Sequence, residues 1–127
     1  MITVLAGGTG SVKIVRGFVS QDSKVNVISN VGDNYWMYGL YVCPDIDTIV
    51  YGLADLLDQE KGWGIKKDTF NFLRQMEVFG EETWFGVGDR DAATHLIRTN
   101  MLKMEKILVI LQNGCVKNLQ LLQTSFQ

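Results

Sequence analysis

The first 29 residues constrain the fold more than anything that follows. Ile2 to Ala6 is a short apolar run of β-type residues that stops at Gly7-Gly8-Thr9-Gly10, which reads as a buried strand ending in a glycine-rich turn. Ser11 to Ser20 then carries Val12, Ile14, Val15, Phe18 and Val19, and the 12/15/19 and 15/18/19 spacings make one helical face. Lys24 to Ser29, with Val25, Val27 and Ile28, reads as a second strand. Strand, glycine turn, helix, strand is the opening βαβ unit of a parallel sheet, so the chain is expected to be an α/β protein.

Asn30 to Cys43 shows no clear period and is rich in Asn, Asp, Gly, Tyr and Trp, as in a long functional loop. Ile46, Ile49, Val50, Leu53 and Leu57 then fall at helical spacing, predicting a helix over 45–58 with Asp45 as N-cap and Asp47 in the first turn. Asp68 is the expected cap of a helix over 69–79, with Phe72, Met76 and Phe79 on one side and Gly80 as its stop. The last helix is expected over 90–103, with Ala93, Leu96, Ile97 and Met101 facing inward.

Composition bounds the function classes. A chain of 127 residues implies one domain, and 46% hydrophobic with 20% charged residues excludes wholesale disorder. Twelve basic against 14 acidic residues, a net charge of -2, argues against binding nucleic acid through a basic face. No apolar run reaches the roughly 18 residues of a membrane span, and the N-terminus lacks the charged region of a secretory signal. Cys43 and Cys115 make no disulfide framework, so a reducing, cytoplasmic setting is expected.

Several motifs carry chemistry. The Gly7-Gly8-Thr9-Gly10 turn with Lys13 can cradle a phosphate, since glycine lets backbone N–H groups approach its oxygens and the following helix adds its positive end. A plain tight turn is the alternative, and the spacing is neither a Walker loop nor a full dinucleotide fingerprint. Asp33, Asp45 and Asp47 flank a loop holding Tyr35, Trp36, Tyr38 and Tyr41. Such hard oxygen ligands suit Mg²⁺ beside a diphosphate. Capping explains Asp45 equally, and helix-dipole complementarity explains Asp47. The aromatics either stack on a planar ligand or fill core. Asp47 is expected on the surface, so that Asp47→Asn would affect stability little. Arg90, at the start of the last helix, can clamp a phosphate or make a surface ion pair. His95 reads as a polar helix residue rather than a base, and Cys43 as packed.

Taken together, these stretches resemble a known family. VLAGGTGSVKIVRG, NVGDNYWMYGLYVCPDIDTIVYGLADLLD, GWGIKKDTF and WFGVGDRDAATHLIRTNML occur in the family's order over residues 1 to about 103. The chain is similar to the N-terminal part of the 2-phospho-L-lactate transferase family of coenzyme F-420 biosynthesis. The resemblance implies a Rossmann-like parallel sheet with flanking helices, truncated. It implies transfer of a phospholactyl group, or its phosphoenolpyruvyl counterpart, from a guanosine diphosphate adduct to the deazariboflavin Fo. GMP leaves and Mg²⁺ is required. Asp47 matches the family aspartate that contacts Fo. Gly86 falls at a second Fo-contacting position, where the family often has a longer polar side chain. Gly7, Gly8, Thr9, Gly10 and Lys13 match the nucleotide-side loop, although Val12 replaces the usual proline. The resemblance leaves room for a homodimer.

After Lys103 the resemblance stops. Read from the third base of each codon, suitable synonymous codons for Met104 to Gln127 permit GKDLSDSTKWLCKKFAVTANILP, which is like the family's continuation. Residues 104–127 are therefore expected to arise from a frameshift, to pack poorly, and to leave the chain with little or no activity. The alternatives are a non-catalytic nucleotide-sugar-binding regulator related to the gluconeogenesis-factor family, which shares the GGTG opening, and a nonfunctional fragment.

Overall fold

A computed structural model describes residues 1–21, 24–104 and 119–121. The elements are β1 (Ile2–Ala6), α1 (Gly8–Val19), β2 (Val25–Ser29), β3 (Tyr35–Met37), β4 (Leu40–Val42), α2 (Pro44–Leu53), α3 (Asn71–Val78), α4 (Asp89–Lys103) and β5 (Leu119–Leu121). The packing expected of residues 104–127 lies outside the described residues, apart from Met104 and the backbone of β5.

β1 and β2 pair in parallel, Ile2 opposite Val25 and Ala6 opposite Ser29, with α1 as the crossover. β5 joins the other edge of β2, also in parallel, to give the order β1-β2-β5. Alternation along the strands sends Val4, Ala6, Val25 and Val27 to one face. There they meet Val12 and Val15 of α1 and Ile46, Ile49 and Val50 of α2. On the other face Leu5 is 79% and Ile28 50% exposed. The two helices approach closely because residue 52 is glycine: a Cβ there would stand 2.3 Å from Val12 Cγ1.

The 30–43 segment is not one long loop. Tyr35 pairs with Val42 and Met37 with Leu40 in an antiparallel hairpin. Tyr38 and Gly39 both have positive φ, 52° and 73°, the signature of a two-residue type I′ turn. Tyrosine in place of the usual asparagine or aspartate hid that turn in the sequence. α2 also ends earlier than its apolar spacing suggests. Asp55 adopts φ 58°, its N–H bonds the Gly52 carbonyl, and the Leu56 N–H bonds that of Tyr51 at 2.8 Å. This is a Schellman stop, and Leu57 continues into a bridge with Ile65 instead.

The expected inward face of α4 is turned to solvent. Leu96 and Ile97 are 49% and 59% exposed, whereas Asp91, His95, Arg98 and Thr99 are buried. Phe79, just past the end of α3, is likewise exposed, and α3 has no fully buried residue.

Neither expected aspartate caps its own helix. Cys43 precedes α2 with Pro44 at its first position, and Asp45 lies inside the first turn. Asp68 leaves α3 alone and accepts the N–H groups of Arg90 and Asp91 at the start of α4. Asp89, the first residue of α4, accepts those of Asn71 and Phe72 at the start of α3. Each helix start is thus capped by the carboxylate that sequence proximity assigns to the other. Gly88 lets Asp68 approach, since a Cβ there would stand 2.2 Å from its Oδ2.

Two outcomes follow from the crossed caps. Asp68→Ala should cost about 1 kcal/mol and speed amide exchange at Arg90 and Asp91 in α4 rather than in α3. The Thr69 hydroxyl, then the Phe72 N–H, hold the Asp89 carboxyl down at about 2, below about 3.9 in an unfolded chain. Its stabilisation is therefore complete above about pH 4 and lost as pH falls through 2. Asp89→Asn should flatten that part of an acid unfolding curve.

Candidate active site

The carboxyl ends of β1 and β2 open onto a crevice, the position where open α/β sheets bind ligands. Gly7 precedes α1 in extended backbone, and Gly8 has φ 65°. The Ser11 hydroxyl accepts the Gly7 N–H and donates to its carbonyl, both at 3.0 Å. Asp45 stands against this turn: a Cβ on Gly7 or Gly8 would lie 3.7 Å from its carboxylate. The Asn30 amide donates to Asp45 at 2.8 Å and to Asp33 at 3.1 Å, while the Gly32 N–H fixes the other end of the same side chain. One asparagine thus ties Asp33 to Asp45, the carboxylate that stands against the glycine turn. Thr9, Gly10 and Lys13 line a cavity of about 350 Å³ beside it. Arg16 and Lys66 are drawn to Asp55, at 3.0 and 3.6 Å.

Asp47 does not join Asp33 and Asp45. At about 100° per residue, positions two apart on a helix face opposite ways. Asp47 is only 4% exposed, which corrects the expectation of a surface residue. Both its oxygens accept from Arg98, Oδ2 at 3.1 Å and Oδ1 in a closer contact. Arg98 Nη1 also donates to the Tyr41 carbonyl at 3.2 Å and lies 3.1 Å from His95 Nδ1. His95 Nε2 is 3.4 Å from Asp91, which accepts the Tyr51 hydroxyl at 2.6 Å. Thr99 accepts the Tyr41 N–H at 2.8 Å. Burial pushes the Asp47 carboxyl up while the Arg98 guanidinium pulls it down. Burial, then the Asp47 and Asp91 charges, keep the Tyr51 hydroxyl protonated far above the usual phenol range. His95, read as a polar helix residue, is a buried member of this network.

Aromatic side chains form a third group. Tyr35 stacks near Trp84 at 6.0 Å between centroids, and Phe85 lies between Trp84 and Trp63. Gly86 lies directly under Trp63, where a Cβ would be 2.6 Å from Cη2. Arg90 gives its N–H to Asp68 but makes no side-chain ion pair among the described residues. Cys43 is fully buried, and burial pushes its thiol up to about 11, so it is packed and unreactive.

Comparison with known proteins decides the ancestry. The model of the family "2-phospho-L-lactate transferase CofD" matches residues 2–124. The chain belongs to this family. It is 44% identical over 104 residues to a phosphoenolpyruvate transferase of Streptomyces avermitilis, a match covering 80% of this chain and 33% of that protein. The one from Nocardia farcinica is 45% identical over 105 residues, covering 80% and 32%, and that of Mycolicibacterium smegmatis 40% over 114 residues, covering 80% and 35%. The chain thus spans about a third of the length of these family members. No helix among its described residues is long and apolar enough to cross a membrane.

Two places can be weighed for the family's metal. Asp47, Asp91 and His95 offer ligand atoms within 4.8 Å of one another and could hold a metal ion. An imidazole nitrogen suits a softer metal than Mg²⁺, and Arg98 already brings positive charge to the same carboxylate. Asp33 and Asp45 offer hard oxygens alone, beside a turn that a side chain would narrow, and these fit Mg²⁺.

The sequence reading missed Asn30, Arg98 and Asp91. The signal for the last two was present as a polar stripe at 91, 95 and 98 on α4, spaced four and three residues apart. Breaking this buried pair from either side leaves a charge uncompensated. Arg98→Ala and Asp47→Asn should each cost about 3–5 kcal/mol in urea unfolding. A cost below about 1 kcal/mol would match a surface pair instead.

Proposed function

We propose that the chain is the N-terminal part of an enzyme that transfers a phospholactyl or phosphoenolpyruvyl group from a guanosine diphosphate adduct to a ribityl hydroxyl of deazariboflavin Fo. A new P–O bond forms to that hydroxyl, the diphosphate bridge breaks, and GMP leaves. The observation that carries this reading is the crevice where the glycine turn, Asn30, Asp33 and Asp45 converge, in a chain of this family.

Such a transfer needs in-line positioning and charge neutralisation more than a covalent nucleophile. The N–H groups at the start of α1 would meet the donor phosphates, with Lys13 adding charge at the cavity wall. Asp33 and Asp45 would hold Mg²⁺, which supplies charge neutralisation on the diphosphate when bound. Asn30 orients both carboxylates. Asp47 and Gly86 belong to the acceptor side in this reading; Asp47 is held by Arg98, and Gly86 carries Trp63. Arg90 is kept as a phosphate clamp only for a donor that reaches α4. Residues 104–127 are proposed to come from a shifted reading frame, a reading set against a family-model match that runs on to residue 124.

The test is GMP release in the presence of donor adduct, Fo and Mg²⁺. The 127-residue chain should show little or no turnover. A version with the frame restored near codons 102–103 should release GMP only when Fo and Mg²⁺ are both present. In that version Asn30→Ala should raise the Mg²⁺ requirement about 10- to 100-fold. No GMP from the restored protein with either donor would overturn the transferase reading. A gene lacking the alternative frame, or enzyme-like turnover by the 127-residue chain, would overturn the frameshift.

A further inference from the structure

Trp63 sits at the tip of a closed loop. The Asp58 carboxylate accepts the N–H groups of Glu60 and Lys61, both at 3.1 Å. The Gly62 N–H bonds the Asp58 carbonyl at 2.9 Å, and the Asp58 N–H bonds that of Gly64 at 3.0 Å. Gly62 and Gly64 have φ of 79° and 71°, so the backbone on either side of the indole takes a conformation reserved for glycine. The Thr9 hydroxyl reaches the Gly62 carbonyl at 3.4 Å and ties the loop to the phosphate-cradling turn.

The indole itself is fixed on one side and open on the other. Its far edge lies on Gly86, where no side chain fits, and the space behind it is closed to about 10 Å³. Yet 42% of the residue stays exposed. The Lys61 ammonium covers the ring at 5.5 Å and the Phe70 ring at 4.9 Å, is itself 43% exposed, and lies 3.7 Å from Asp58. An indole held at its edge by Gly86 and partly open to solvent under a cation is suited to stacking on a planar ring.

We propose that Trp63 is the platform on which a planar heteroaromatic ring of the substrate stacks, with Gly86 setting the angle of the indole and Lys61 moving aside to meet the ligand's anionic or hydroxylated chain. The inference rests on the ring-bearing substrates of the proposed function. The nucleobase of the donor and the tricyclic ring of the acceptor share this chemistry.

The test measures binding to the full 127-residue chain by equilibrium dialysis with three probes. These are GDP for the donor base, riboflavin for a tricyclic ring with a ribityl chain, and inorganic pyrophosphate, which has no ring. Trp63→Leu should weaken GDP or riboflavin about tenfold or more and leave pyrophosphate unchanged. Trp63→Phe should keep the same ring ligand within about threefold. Loss of GDP alone assigns the ring to the donor, and loss of riboflavin alone to the acceptor. Unchanged ring binding in Trp63→Leu, an equal loss of pyrophosphate, or no ring binding by the unmodified chain would overturn the platform. Pyrophosphate binding without ring binding would do so while leaving the transferase reading intact.

Discussion

Arg98 lies inside the protein at 2% exposure, and its guanidinium joins α4 to α2 through both oxygens of Asp47 and to β4 through the Tyr41 carbonyl. An isolated cation in that position would be very costly, so helix, hairpin and aspartate must arrive together. Tyr41 is gripped by its N–H as well, through Thr99. Trp36, its ring tilted against Tyr41 at 5.1 Å between centroids, inherits its place from the same anchor. A guanidinium fits because its flat fork satisfies a carboxylate and a carbonyl at once, which a lysine cannot do in one geometry.

The crossed caps of α3 and α4 solve a related problem. Helix starts leave N–H groups without partners, and here each start borrows a carboxylate from the other's neighbourhood. The two helices thereby hold each other's ends although α3 buries no residue fully. The 68–89 segment, which carries Trp84, Phe85 and Gly86, is pinned at both ends by these bonds. The aromatic group beside the crevice is thus held by polar contacts more than by apolar burial.

The crevice divides the labour among residue types. Glycine supplies close backbone approach at the turn, and Asn30 links two carboxylates. Asp45 and Asp47, two positions apart on one helix, enter separate side-chain networks because α-helical geometry points them in opposite directions.

The sequence alone determined the opening βαβ unit, its parallel pairing and its inward valines, because strand and helix periods are local properties of the chain. It also showed the glycine turn and, by resemblance, the family. Tertiary structure decided what local pattern cannot express. The 91/95/98 stripe looked like the outside of α4 until Asp47 and Tyr41 made burial of charge favourable. Asp68 looked like the cap of α3 until the fold brought the start of α4 closer. The type I′ turn at Tyr38 and Gly39 was hidden behind an atypical residue, and Asp55 ended α2 in a backbone conformation its side chain does not announce. In each case the deciding partner is distant in sequence or the conformation is unusual for the residue, so only the folded chain discloses it.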